Sequence, residues 1–127
     1  MIIGVEHIAI YAKDTKALAE WYVRMFDGEI VHDNGKGNYF VAFANKTMIE
    51  FSVNEGAENQ ITDLNTPGLR HIALYVDDIN SAAEKVKNSG AEILKDVVIT
   101  EKGVGTMFFR DPEGNILHFI ARPAPMI

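Results

Sequence analysis

The 127-residue chain predicts an α+β fold made of two like halves, each running strand–helix–strand–strand–strand. Three observations carry this. The segments VEHIAIYAKD (5–14) and LRHIALYVDD (69–78) align at a spacing of 64 residues; both hold His-Ile-Ala, an aliphatic residue, Tyr and a closing Asp. Each is followed by apolar residues at helical spacing, and each helical stretch by three apolar segments of strand length. A repeat of this kind fixes the topology of both halves together.

In the first half, residues 5–14 alternate as a strand does. Leu18, Trp21, Tyr22 and Met25 then recur at i, i+3, i+4 and i+7, one face of a helix. Asp14 suits its N-cap, because a short carboxylate accepts from free backbone N–H groups. Gly28 follows it, where a left-handed residue commonly ends a helix. Trp21 reads as helix core. Strands are expected around 29–32, 39–44 and 47–53, with Asn45-Lys46 as a tight turn. A polar stretch, 54–68, includes Pro67-Gly68 and links the halves, so the expected modules are about 1–53 and 69–127.

The second half repeats the scheme. Ile79, Ala82, Ala83 and Val86 share a helix face, Asp78 caps it and Gly90 follows it. Strands are expected around 92–98, 106–110 and 116–121, with a Pro- and Gly-containing turn at Asp111-Pro112-Glu113-Gly114-Asn115. Lys102-Gly103-Val104-Gly105 is too short and irregular for a phosphate-binding loop and reads as a mobile hairpin loop.

Composition narrows the function. Apolar residues make up 47% of the chain, enough for a core, and charged residues 24%. A formal net charge of −6 argues against nucleic acid and against anionic membrane surfaces as partners. The chain has no cysteine, which removes disulfides, thiolate ligands and cysteine nucleophiles. The N-terminus lacks the basic and apolar regions of a signal peptide, and no run approaches the ~20 apolar residues of a spanning helix. The expected location is cytoplasmic.

Strand parity then points to a metal. His7, Ala9 and Tyr11 share one face, opposite Ile8 and Ile10; His71, Ala73 and Tyr75 share the equivalent face. The aliphatic face should pack on the helices and the histidine face lie open, with Ala9 and Ala73 leaving space. Glu50 interrupts the apolar Met48-Ile49-Glu50-Phe51, and His118 interrupts Ile116-Leu117-His118-Phe119-Ile120, at equivalent places in the two halves. A carboxylate in so apolar a strand is costly unless paired, and a cation would supply the counter-charge. The expected ligand set is His7, Glu50, His71 and His118. His32 falls outside the pattern, near a polar turn, and reads as solvated. Tyr11 and Tyr75 read as wall residues; with Met48 and Ser52 they are the pocket candidates from parity.

The doubled His-Ile-Ala opening, the Val76-Asp77-Asp78-Ile79 entry to the second helix and the turn Asp111–Asn115 ahead of His118 resemble the vicinal oxygen chelate superfamily, the glyoxalase I, bleomycin-resistance and dioxygenase group. The resemblance covers nearly the whole chain. It implies paired βαβββ modules, each sheet curling to enclose a cup, and one divalent metal chelating adjacent oxygens of a small-molecule substrate. It also implies pairing of modules within or between chains, here expected as a homodimer. In glyoxalase I the ligand positions usually carry His or Gln, Glu, His, Glu. His7, Glu50 and His71 match the first three, while His118 stands where Glu is usual. That final Glu is the group thought to shuttle protons, so its replacement leaves Glu50 as the first choice of base and His118 as the second. One carboxylate also leaves the metal one unit more positive than two would, which polarises bound oxygens further.

The resemblance therefore implies a glyoxalase I-like lyase or isomerase acting on an α-oxygenated substrate such as an α-ketoaldehyde–thiol adduct. The alternatives are a metal-dependent dioxygenase of the same fold and a non-catalytic small-molecule-binding protein, although antibiotic-sequestering relatives generally lack the metal ligands. Thiol or water addition of the fosfomycin type and acyl-CoA epimerisation are disfavoured by the missing final Glu. Three imidazoles and a carboxylate suit Zn, Ni, Co, Fe or Mn.

Overall fold

The computed structural model describes residues 1–54, 56, 64–65 and 67–127. The chain divides into two units, Met1–Asn59 and Gln60–Ile127. Most of the expected linker, 54–68, lies outside the described residues.

The first unit contains β1 (His7–Ala12), α1 (Thr15–Phe26), β2 (Glu29–Asp33), β3 (Tyr39–Ala42) and β4 (Met48–Val53). The second contains β5 (Ile72–Tyr75), α2 (Ile79–Asn88), β6 (Ile93–Ile99), β7 (Gly105–Arg110) and β8 (Ile116–Ala121). Each forms a four-stranded mixed sheet, ordered β1-β4-β3-β2 and β5-β8-β7-β6. The first strand of each unit pairs in parallel with the last, and the remaining pairs are antiparallel. The fold is α+β, two βαβββ modules of like topology, as the repeat predicts.

Each helix covers one face of its own sheet. Leu18, Ala19, Trp21 and Tyr22 of α1 are buried together with Val41, Ile49 and Phe51, and the Tyr22 and Phe51 rings meet at 4.8 Å. In the second unit Ile79, Ala83 and Val86 of α2 are buried with Met107, Phe109, Leu117 and Phe119, and the Phe109 and Phe119 rings lie 4.7 Å apart. Residues of opposite parity on the same strands are therefore left on the helix-free face.

Both N-caps form as expected. Asp14 accepts from the Ala17 N–H at 3.0 Å, and Asp78 accepts from those of Asn80 and Ser81. The first helix ends differently from expectation. Its left-handed residue is Asp27, at φ 54°, and not Gly28. Gly28 is instead needed for close approach: a Cβ there would lie 2.7 Å from Val41 Cγ1. Gly90 does take the left-handed conformation, at φ 81°. β3 stops at Ala42, short of the expected 44, because the tight turn begins at Phe43: the Lys46 N–H donates to the Phe43 carbonyl at 2.8 Å, with Lys46 at φ 70°. The stretch at 102–105 is a hydrogen-bonded hairpin turn closed by Thr100 and Val104, with Gly105 already in β7.

Candidate metal centre

In the first unit the β1–β4 register sets Ala9 beside Glu50 and His7 beside Met48. With Ile49 and Phe51 turned into the core, Glu50 stands on the helix-free face with His7. His7 Nε2 lies 3.8 Å from Glu50 Oε1, and the two side chains are 35% and 22% exposed. His7 Nδ1 is 2.9 Å from Glu6 Oε1. An Nδ1–H donating to that carboxylate leaves the Nε2 lone pair toward Glu50, the tautomer a metal ligand needs. The β3–β4 register sets Phe40 opposite Glu50, and the His7 and Phe40 rings meet edge to face at 5.1 Å. His32 is exposed, as expected, but it does not stand apart: it pairs with Phe40 across β2 and β3, the two rings 5.9 Å apart.

The second unit repeats this row. Ala73 pairs with His118, and His118 with Phe108. His71 directly precedes β5 instead of lying within it. The His118 ring stacks on Phe108 at 4.3 Å with an interplanar angle of 9°. His71 stands nearly perpendicular to both rings, its Nε2 3.3 Å from His118 Nδ1. His71 Nδ1 and His118 Nε2 are buried without a hydrogen-bond partner among the described residues. Arg70 Cζ and Lys95 Nζ lie 5.5 and 5.9 Å from the centre of the Phe108 ring.

This surrounding keeps both imidazoles neutral. Burial, then the charge of Arg70, lowers the His71 pKa. Burial, then the neighbouring His71 and the charges of Arg70 and Arg122, brings His118 from 6.5 down to about 4. Near neutral pH both rings therefore offer lone pairs. Two nitrogens each ~2.0–2.1 Å from one tetrahedral metal stand about 3.3 Å apart, which is the His71–His118 separation. The donor chemistry and that spacing fit a divalent metal. Among the described residues no three of His, Asp and Glu gather into a metal-sized group. Each unit by itself brings together two of the four expected donors, His7 with Glu50 and His71 with His118.

Five contributors on these faces were not singled out from the sequence: Glu6 behind His7, the two equivalent phenylalanines, and the two cations beside Phe108. Glu6 was open to detection as a carboxylate adjoining a candidate ligand. The phenylalanines were open to detection by extending strand parity to the neighbouring strands.

The family model of the Glyoxalase/Bleomycin resistance protein/Dioxygenase superfamily matches residues 4–119. The chain belongs to this superfamily. Solved structures of similar fold include a glyoxylase/bleomycin resistance protein/dioxygenase domain from Frankia sp. EAN1pec, 17% identical with a TM-score of 0.78, covering 96% of this chain and 93% of that one. Lactoylglutathione lyase from Agrobacterium tumefaciens is 20% identical with a TM-score of 0.69, covering 94% of each chain. A mutant of the fosfomycin resistance protein FosX from Listeria monocytogenes, complexed with Mn(II), is 20% identical with a TM-score of 0.72, covering 94% of this chain and 90% of that one. At these identities the likeness concerns the fold. No curated protein sequence matches significantly. Among the described residues, no helix of this superfamily member is long and apolar enough to cross a membrane.

Proposed function

We propose that the chain is a divalent-metal-dependent enzyme of glyoxalase I type, a lyase or isomerase acting on a small α-oxygenated substrate such as an α-ketoaldehyde–thiol adduct. The observation that carries this is the pair of repeat-equivalent donor sets, His7 with Glu50 and His71 with His118, each on a helix-free sheet face. These four residues would hold the metal, Zn, Ni, Co, Fe or Mn, brought together within one chain or between two chains of a homodimer. The metal–FosX complex supports a divalent metal on this fold.

When bound, the metal would polarise adjacent substrate oxygens and acidify the neighbouring C–H bond. The protein's own part is orientation and proton transfer. Glu6 holds the His7 tautomer, and Ala9 and Ala73 leave room beside the donors. Glu50, a partly exposed carboxylate, takes the proton from the substrate carbon and returns it to the adjacent one. His118 is the less suitable base: its Nε2 is buried and its ring is stacked on Phe108. Three imidazoles with one carboxylate also suit iron, so metal-dependent dioxygenation is the second reading.

The test is elemental analysis of wild type and His71→Ala, followed by initial rates with methylglyoxal and thiols. Loss of metal in the variant and turnover by the loaded wild type are expected. Full metal occupancy in His71→Ala overturns the ligand set, and a metal-loaded wild type that consumes dioxygen instead overturns the reaction class.

A further inference from the structure

The two modules share a scaffold but carry different charge. In the first, the row across the helix-free face runs Ala9, Glu50, Phe40, His32; in the second it runs Ala73, His118, Phe108, Lys95. Glu50 and Glu6 make the first row acidic. The second has no carboxylate in its row, and two cations lie against it. Arg70 and Lys95 both lie against Phe108.

Acids outnumber bases in this chain, 18 to 12, so paired cations are the expectation. Lys87 pairs with Asp96 at 2.7 Å and Arg110 with Glu92 at 3.3 Å. Among the described residues Arg70, Lys95 and Arg122 have no carboxylate partner. Nor do the Arg70 N–H donors find an acceptor there; the guanidinium rests near an aromatic ring, which leaves its hydrogen-bonding fork unspent. Like charges gathered without a counter-ion are unfavourable to each other, and a ligand of opposite charge relieves that cost.

We propose that Arg70 and Lys95 form an oxyanion-binding subsite beside His118, and that the substrate class is a small molecule carrying a carboxylate or phosphate-like group. This deepens the metal-centre reading and rests on it in taking this face as the substrate face. The anionic group would sit with the Arg70 fork and the Lys95 ammonium, beside the Phe108–His118 stack. The substrate's reacting oxygens are then directed at the His71–His118 donors, so the subsite sets both recognition and orientation.

The test uses full-length metal-free protein at low ionic strength. Inorganic phosphate and acetate are titrated separately, with chloride at matched ionic strength as control, and the imidazole proton resonances of His71 and His118 are followed. Saturable shifts with phosphate or acetate and none with chloride are expected. Arg70→Gln and Lys95→Gln should each weaken binding at least tenfold, while Lys85→Gln, on α2 against the opposite face of the sheet, leaves it unchanged. Should Arg70→Gln fail to fold, Lys95→Gln carries the comparison. Saturation by phosphate alone or acetate alone supports the subsite and selects the group. Shifts that never saturate, that chloride reproduces, or that survive both substitutions overturn it. Metal content is measured in parallel on loaded samples. A wild type that binds anion but no metal sinks the metal reading and leaves the subsite standing. One that binds metal but no anion does the reverse.

Discussion

The His118 environment predicts how the metal-free protein responds to acid. Burial, reinforced by His71, Arg70 and Arg122, holds this imidazole at about 4 against 6.5 when the chain is unfolded. Between those values the unfolded state binds more protons than the folded state. Stability therefore rises with pH through that window, is fully present above about 6.5, and is lost as pH falls toward 4. At ~1.36 kcal/mol per pH unit the full gap corresponds to about 3.4 kcal/mol. Because the side chain is only partly buried, solvent screening reduces this to about 1.5–2 kcal/mol. With a urea dependence of ~1.5 kcal/mol/M, the denaturation midpoint should drop by about 1 M between pH 7 and pH 4.5. Replacing His118 with Gln keeps a polar side chain of similar size and removes the titration. The assay is urea unfolding in the presence of a chelator, from pH 4 to 7.5, on wild type and His118→Gln. The variant should lose most of the slope between pH 4 and 6.5. His71, shifted in the same direction, accounts for some residual slope. Asp78 and Asp96 have lowered values and add acid sensitivity only below their ordinary range, near 3.8. An identical slope in both proteins would refute the argument, because the acid response would then arise elsewhere.

Three other predictions address the site, the packing and the assembly. His118→Glu restores the usual glyoxalase I ligand and adds a carboxylate able to hold a proton. It should retain metal and raise the isomerase rate per bound metal on an α-ketoaldehyde–thiol adduct, by ~10²-fold or more where Glu50 stays on the metal and cannot act as base; a fast wild type beside an inactive, metal-loaded variant would make His118 itself the working group. Gly28→Ala should cost about 1–3 kcal/mol in chemical denaturation, because its Cβ meets Val41 Cγ1 at 2.7 Å in a packed core; no change in stability would mean that β3 shifts freely. A homodimer is expected from the apolar side chains left exposed, among them Leu69 at 81%, Tyr11 at 76% and Tyr75 at 59%. Sedimentation at micromolar concentration reads this directly, and a monomer there would count against pairing between chains.

What the sequence disclosed about this molecule follows the regularity of its strands. The central strands β4 and β8 alternate without interruption, so Ile49 and Phe51, or Leu117 and Phe119, point to the helix while Glu50 and His118 point away. Simple parity placed these residues correctly. The two modules were legible for the same reason, since the repeat at His7 and His71 sits at the start of each parallel pairing. The edge strands do not obey that rule. In β2 the register shifts between Ile30 and His32, and in β6 it shifts on both sides of Lys95. Each extra residue flips the face of everything beyond it, so His32 and Lys95 cannot be assigned to a face by counting along the chain. His32 accordingly read as an unrelated solvated residue, and Lys95 was not singled out. Arg70 was hidden for a different reason: it precedes β5, and its place beside Phe108 depends on the neighbouring strands. The proposed ligand pairs thus lie on the regular part of each module and the unmatched cations on or beside its irregular part. If both proposals hold, that division separates the metal chemistry from the recognition of the substrate's anionic group. Substitutions at Arg70 or Lys95 should therefore change which small molecules bind while leaving the sheet, the helix packing and the four donors in place.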